Sequence, residues 1–262
     1  MIASTVGANA VHFTPLGLTF VSGQPISGVI AAIIAVYVGK KVAGKTKLDM
    51  MAIPLCAVVV GGVAGLGLAA VVTPALNWLS AQIAYTIKIS PLIGSALVSL
   101  SWSTLLMTPA SSVAIAIALK LDPVSSGAAL IGCTIQFVGF TIMSFKENDS
   151  GANIAQGLVT PKIQFPNVIK NPKLLIPPFI AAIICAPIAT ILFKFTATYE
   201  LAGLGLNSLI APLNILATRG IKGVLIYLFT GIILPTAIIM PIYLAMKKSE
   251  VIKTGDMHMK IQ

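Results

Sequence analysis

The chain has 262 residues, of which 57% are hydrophobic and only 9% are Asp, Glu, Lys or Arg, and its mean hydropathy is +0.98. Soluble domains carry about 25% charged residues, so composition argues against a water-soluble fold. The wealth of Ile, Leu and Val argues equally against disorder. The net charge of +10 would suit a nucleic-acid partner in a soluble protein. Here the lysines stand at the ends of apolar runs, where they set membrane topology, and no nucleic-acid partner is expected.

Several apolar runs approach the roughly 20 residues that a bilayer span needs. They are continuous rather than alternating, which argues against a transmembrane barrel. The expected fold class is an all-α, polytopic helical membrane protein of about 6–7 membrane segments. One or two of these are re-entrant or broken helices, and a short amphipathic helix lies in the interface. The cell membrane and its lipid bilayer are the expected setting. The N-terminus shows no basic region ahead of an apolar core, so no cleavable signal peptide is read there.

The first span runs from Ile26 to Gly39, with residues from Val11 as an extension and Pro25 as a break. Lys40, Lys41, Lys45 and Lys47 follow. Met51 to Leu76 is the second span, in which Gly61 and Gly65 form a GxxxG pair suited to close helix approach. Between Asn77 and Ser90, Leu79, Ile83 and Ile87 recur every four residues beside Gln82, Thr86 and Lys88. Trp78 and Tyr85 are interface residues, so this stretch reads as the short amphipathic interfacial helix.

Pro91 to Lys120 is divided by Pro109 into two pieces, each marginal as a full span, which predicts two half-helices or a span with a re-entrant piece. Ser95, Ser99 and Ser103 form one helical stripe, and Ser101, Thr104 and Thr108 another. These stripes line a polar pathway, pair helices, or bond back to their own helix carbonyls. Ser125 to Phe145 is a clear span carrying a lone Gln136, which reads as an interhelical hydrogen bond or as a ligand contact.

A long polar segment, Lys146 to Lys173, precedes the span Leu174 to Phe195. Thr196 to Arg219 is rich in Gly and Asn and reads as a re-entrant loop. Asn207 and Asn214 sit there, at a loop tip or in exposed turns, with Glu200 as a solvated charge or a partner of Arg219 or Lys222. Lys222 to Ala245 is the last span. One transmembrane domain over residues 1–245 and a polar cytoplasmic tail over 246–262 are expected. Lysine bias places the 40–47 loop, the 146–173 segment and this tail in the cytoplasm.

No phosphate loop, HExxH or CxxC is present. Cys56, Cys133 and Cys185 lie in apolar runs without ligand spacing, and His12 and His258 lie near the termini. Neither a metal site, a cofactor nor a catalytic residue is expected. The best candidate site is Lys146-Glu147-Asn148-Asp149-Ser150-Gly151 with Asn153 and Gln156. Carboxylates and amides together supply the acceptors and donors that polyol hydroxyls require. The alternative is a solvated loop capping a helix. The substrate-binding candidates are Glu147, Asn148, Asn153, Gln156, Gln136 and Asn207.

Four strings, taken in order, carry a family resemblance: TPASSVAIAIA at 108–118, SFKENDSGANIAQG at 144–157, FPNVIKNPKLLIPP at 165–178 and AGLGLNS at 202–208. Together they resemble the EIIC-like perfringolysin-regulator family, grouped with the membrane (IIC) subunits of the sugar phosphotransferase system. The resemblance covers about residues 90–245 and departs from the family at Val159-Thr160-Pro161-Lys162. It implies a permease-like fold with re-entrant hairpins, a homodimer, and a sugar-like or other small polar solute. Family members hold the sugar with a carboxylate in a re-entrant hairpin, a role that falls here on Glu147, with Asn148 and Gln156 nearby. Members are usually longer at the N-terminus, which leaves open a form with one or two fewer spans or a truncated chain.

The resulting expectation is a membrane permease of the IIC type, not an enzyme by itself. No soluble module offers a Cys or His to accept a phosphoryl group, so phosphotransfer would need separate IIA and IIB proteins. The alternative is a non-transporting sensor or regulator that controls gene expression through a cytoplasmic partner.

Overall fold

A computed structural model describes residues 10–14, 17–21, 25–45, 48–108 and 111–259. Pro109, the expected divider of the 91–120 stretch, lies outside them. The chain falls into two compact units, residues 1–81 with 117–120 and residues 82–116 with 121–262.

In the first unit, β1 (Ala10–Thr14) and β2 (Gly17–Val21) pair antiparallel, with Val11 opposite Phe20. The expected extension of the first span from Val11 is therefore a hairpin. Pro25 opens α1 (Pro25–Val42) rather than breaking it, because a proline at the first helical position gives up an N–H that has no partner there anyway. The N-terminal part of α2 (Asp49–Ile89) packs on α1, and a Cβ on Gly39 would touch Ile53 and Ala57.

The helix α2 has 41 residues and carries Pro54 and Pro74 inside it. Asn77–Ile89 is thus its continuation and not a separate interfacial helix. Polar residues on one face mimic an interface pattern, yet nothing between Pro74 and Ile89 stops the backbone ladder.

The second unit is built around α5 (Pro123–Ser144), which is buried along almost its whole length. Asp122 starts it by accepting from the backbone N–H groups of Val124 and Ser125, the usual service of an N-cap aspartate. Before it come two short helices, α3 (Pro91–Met107) and α4 (Ser112–Leu119), the two half-helices expected. At the α3–α5 contact, a Cβ on Gly132 would lie 2.4 Å from the Ser99 carbonyl oxygen, so only glycine allows this approach.

The serine stripes serve packing. Ser103 Oγ donates to Gly132 O at 2.8 Å, Ser99 Oγ to Ala182 O at 3.2 Å, and Thr190 Oγ1 to Ser95 Oγ at 2.8 Å. Ser101 and Thr104 bond back to Leu97 O and Leu100 O of their own helix.

After α5 the chain is a series of short pieces. They are α6 (Ser150–Ile154), a π turn (Ala155–Val159), a 3-10 turn (Pro161–Gln164), α7 (Phe165–Lys170) and a second 3-10 turn (Pro172–Leu175). Next, α8 (Ile176–Pro187) ends in a π turn (Ile188–Leu192) and packs against α3, α5 and the last helix. A turn at Asn207–Leu209 leads into α9 (Ile210–Leu228), which Gly220 breaks with φ 65° and ψ −167°. A π turn (Phe229–Ile233) joins it to α10 (Leu234–Lys248).

Among the described residues, four helical stretches are long and apolar enough to cross a membrane, namely Asp49–Leu68, Pro123–Ser144, Pro172–Leu192 and Asn207–Lys248, with Pro91–Met107 as a shorter apolar helix. The polytopic helical class with broken helices is the fold observed.

Candidate functional site

The polar segment 146–173 is built of short helical pieces and turns, with Gln156 and Gln164 buried and many other residues exposed. Asp149 caps α6 by accepting from Ala152 N at 2.7 Å, Thr160 caps the 3-10 turn at 161–164, and Asn171 caps the one at 172–175. These short elements bring four of the six candidate residues into one network.

Glu147 has a side chain only 6% exposed. Its Oε1 lies 3.3 Å from Lys247 Nζ, and its Oε2 accepts from the backbone N–H groups of Gly255 and Met257, each at 3.1 Å. The Asn148 amide donates to Ser144 O and Met257 O, and its oxygen accepts from Met259 N at 2.7 Å. Fully buried Gln156 donates to Ser144 Oγ at 2.9 Å and accepts from Gln164 Nε2 at 2.7 Å. Asn153 donates to the carbonyls of Phe145 and Asn148, while its own Oδ1 is buried without a partner.

Asn153 also lines a cavity of about 430 Å3 with Thr141, Ser150, Gly157, Leu206 and Thr236. Two π turns, at 155–159 and 229–233, supply Gly157, Leu158 and Ile232 to its wall. A π turn leaves the regular i→i−4 ladder, and such turns are frequent at functional sites. Asn207 is not in this wall. Its turn packs on the 155–159 turn, and its Oδ1 accepts from Ser208 Oγ at 2.9 Å. Asn214 is exposed on α9. Burial pushes the Glu200 carboxyl up, but hydrogen bonds from Thr198, its own backbone and Tyr199 together outweigh it and hold the group below its usual range. Arg219 bonds Thr196 instead.

Gln136 stands apart from the network. It is fully buried in α5, and among the described residues neither its Nε2 nor its Oε1 has a hydrogen-bond partner. The interhelical bond expected of it is not made. The indole N–H of Trp102, on the facing helix α3, is buried and unpaired as well. Trp102 O lies 3.6 Å from Cys133 Sγ, and Cys133 precedes Gln136 by three residues. The 3-10 turn at 161–164 packs on both helices, and its Lys162 is an electrostatic neighbour of Cys133. Burial pulls the Lys162 ammonium below its ordinary range. An unpaired buried polar group costs roughly 1–3 kcal/mol, so retaining two on facing helices calls for a reason.

Trp102, Lys162 and Gln164 were not singled out from the sequence. Trp102 sits in an unremarkable apolar run. Lys162 was read only as a departure from the family pattern, and Gln164 gains its role from Gln156 and Met257.

The sequence model described as "Phosphotransferase system, EIIC" matches residues 1–259. The chain belongs to this family. No curated protein and no solved structure matches it. Membership makes this EIIC protein a membrane component of the phosphotransferase-system type, located in the bacterial inner membrane. Its long apolar helices agree with that setting.

Proposed function

We propose that this EIIC protein binds and translocates a small polar solute of the sugar class, with any phosphoryl transfer left to separate IIA and IIB proteins. The observation that carries the reading is Gln136, a fully buried amide with no partner on either atom among the described residues, on a helix packed against the one that carries the unpaired indole of Trp102. A polyol solute offers both donors and acceptors and would satisfy an amide that the protein leaves open.

The second support is the convergence of broken helices. Discontinuous helices commonly form transporter sites within the membrane. Here the π turns at 155–159 and 229–233 enclose a cavity onto which Asn153 opens with an unused acceptor nearby. In this reading Glu147, Asn148, Asn153 and Gln156 form the hydrophilic wall on one side of the path. Asn207 belongs to the turn that supports it. Pairing of two copies is part of the same reading.

The test is uptake by the purified protein in proteoliposomes. Radiolabelled glucose, galactose, mannitol and N-acetylglucosamine are each supplied alone, with binding measured in parallel in detergent. Saturable binding of one of them, lost in Gln136→Leu and weakened at least tenfold in Asn153→Ala, supports the reading. Absence of binding for the whole panel, or binding indifferent to both substitutions, overturns it.

A further inference from the structure

Residues 251–259 return from the end of α10 across the 144–171 segment, and most of the hydrogen bonds that hold them there use their main chain. Gly255 N and Met257 N donate to Glu147 Oε2, and Met259 N donates to Asn148 Oδ1. Met257 O accepts from both Asn148 Nδ2 and Gln164 Nε2. His258 O accepts from Asn167 Nδ2, and Val251 O from Asn171 Nδ2. His258 Nδ1 lies 2.7 Å from Glu147 O. Ile252, Met257 and Met259 are buried as apolar anchors.

The atoms taken up in this way are the ones a solute would need. A carboxylate only accepts, and an amide offers two donors and one acceptor oxygen. Both oxygens of Glu147, both Nδ2 hydrogens of Asn148 and the Asn148 oxygen are engaged, mostly by the strap. The strap is also built to leave. Lys253, Thr254 and Gly255 are exposed. Glu250 and Gly255 have positive φ of 57° and 96°, which marks tight reversals at its start and middle. A cleft of about 680 Å3 is lined by Gly255, Asp256 and His258 of the strap and by Asn167 and Lys170 of α7.

We infer that residues 251–259 are a tethered competitor for the solute: the strap and the solute occupy Glu147 and Asn148 in turn. This rests on the permease reading above, which supplies the solute. The strap's main-chain groups stand where hydroxyls of the solute would bind. Strap release is therefore a step in opening the site, and whatever holds the strap sets the apparent affinity. If only the released fraction binds, apparent affinity falls by that fraction.

Hydrogen–deuterium exchange of residues 250–259, on the full chain in detergent, reads strap release. The sugar panel named above serves as probe at millimolar concentration. A second form, Asp256→Ala with Met257→Ala, frees the strap without touching any proposed solute contact. It removes the Asp256 bonds to Asn171 Nδ2 and Lys253 N and the buried Met257 anchor.

The expected result is faster exchange at Gly255, Met257 and Met259 when a sugar binds, and at least about tenfold tighter binding to the freed form. Binding seen only with the freed form supports the inference equally. Sugar binding to the wild type with unchanged strap exchange and equal affinity for both forms overturns the competition while the permease reading stands. Failure of every sugar to bind either form overturns the permease reading and the competition with it.

Discussion

Glu147 and Lys247 lie one hundred residues apart in the chain, and the carboxylate of one sits 3.3 Å from the ammonium of the other. The contact ties the end of α10 to the segment that follows α5. Through the second oxygen of Glu147 it also organises the strap at 251–259. Lys247 is one-third exposed, so solvent screens the pair, and its loss should cost about 1 kcal/mol or less. Lys247→Met should speed amide exchange at Gly255 and Met257 by about fivefold. Glu147→Ala removes the acceptor of both N–H groups and should speed it by more than tenfold. Mass-spectrometric exchange of the 250–259 peptide checks both.

Gly132 is where α3 and α5 come closest. Gly132→Ala places a methyl group 2.4 Å from Ser99 O and 2.6 Å from Ser99 Oγ, both held by neighbouring helices. Overpacking of this kind costs about 1–3 kcal/mol. The expected outcome is a clear fall in the thermal midpoint in detergent, and an unchanged midpoint would mean that α3 shifts freely.

The two serine stripes on α3 should separate by energy. Ser103→Ala deletes an interhelical bond to Gly132 O and should destabilise by about 0.6 kcal/mol, as such bonds average in membranes. Ser101→Ala deletes only a back-bond on the exposed side and should be close to neutral. Midpoints of chemical unfolding in mixed micelles compare the pair.

Gly220 breaks α9 with φ 65° and ψ −167°, a combination that essentially only glycine adopts, costing other residues roughly 1–3 kcal/mol. Gly220→Ala should therefore destabilise although no side chain lies near its Cβ position. Gly67→Ala is the control, since Gly67 lies inside α2, also in open space. The control should be neutral or slightly stabilising, because alanine is the better helix former.

Much of this architecture is legible in residue order because it is written in local chemistry. Continuous apolar runs mark the spans and prolines and glycines mark the broken helices, whereas the cluster of amides and acids after α5 leaves a binding segment and a solvated loop both open. The end of α2 was not legible. Gln82, Thr86 and Lys88 gave Asn77–Ser90 the pattern of an interface helix, and such a pattern does not say whether the backbone ladder stops.

The strap was hidden for a different reason. It is held through main-chain N–H and C=O groups, which every residue has, so Ser249–Gln262 looked like an ordinary polar tail. Gln136 was visible as a lone polar residue. Whether it finds a partner depends on what faces it across α3, which is tertiary information. Trp102 and Lys162 share that limitation.

The central claim is that α5 keeps an unpaired amide because a solute completes it. Replacing an unsatisfied buried amide with a similar apolar side chain removes a cost of roughly 1–3 kcal/mol. The decisive measurement is the thermal midpoint of wild type and Gln136→Leu, each with and without the sugar that binds the wild type. The account predicts that Gln136→Leu is at least as stable as wild type without sugar and shows no sugar-induced rise. A less stable Gln136→Leu that keeps the full sugar-induced rise would contradict it and make Gln136 a structural residue.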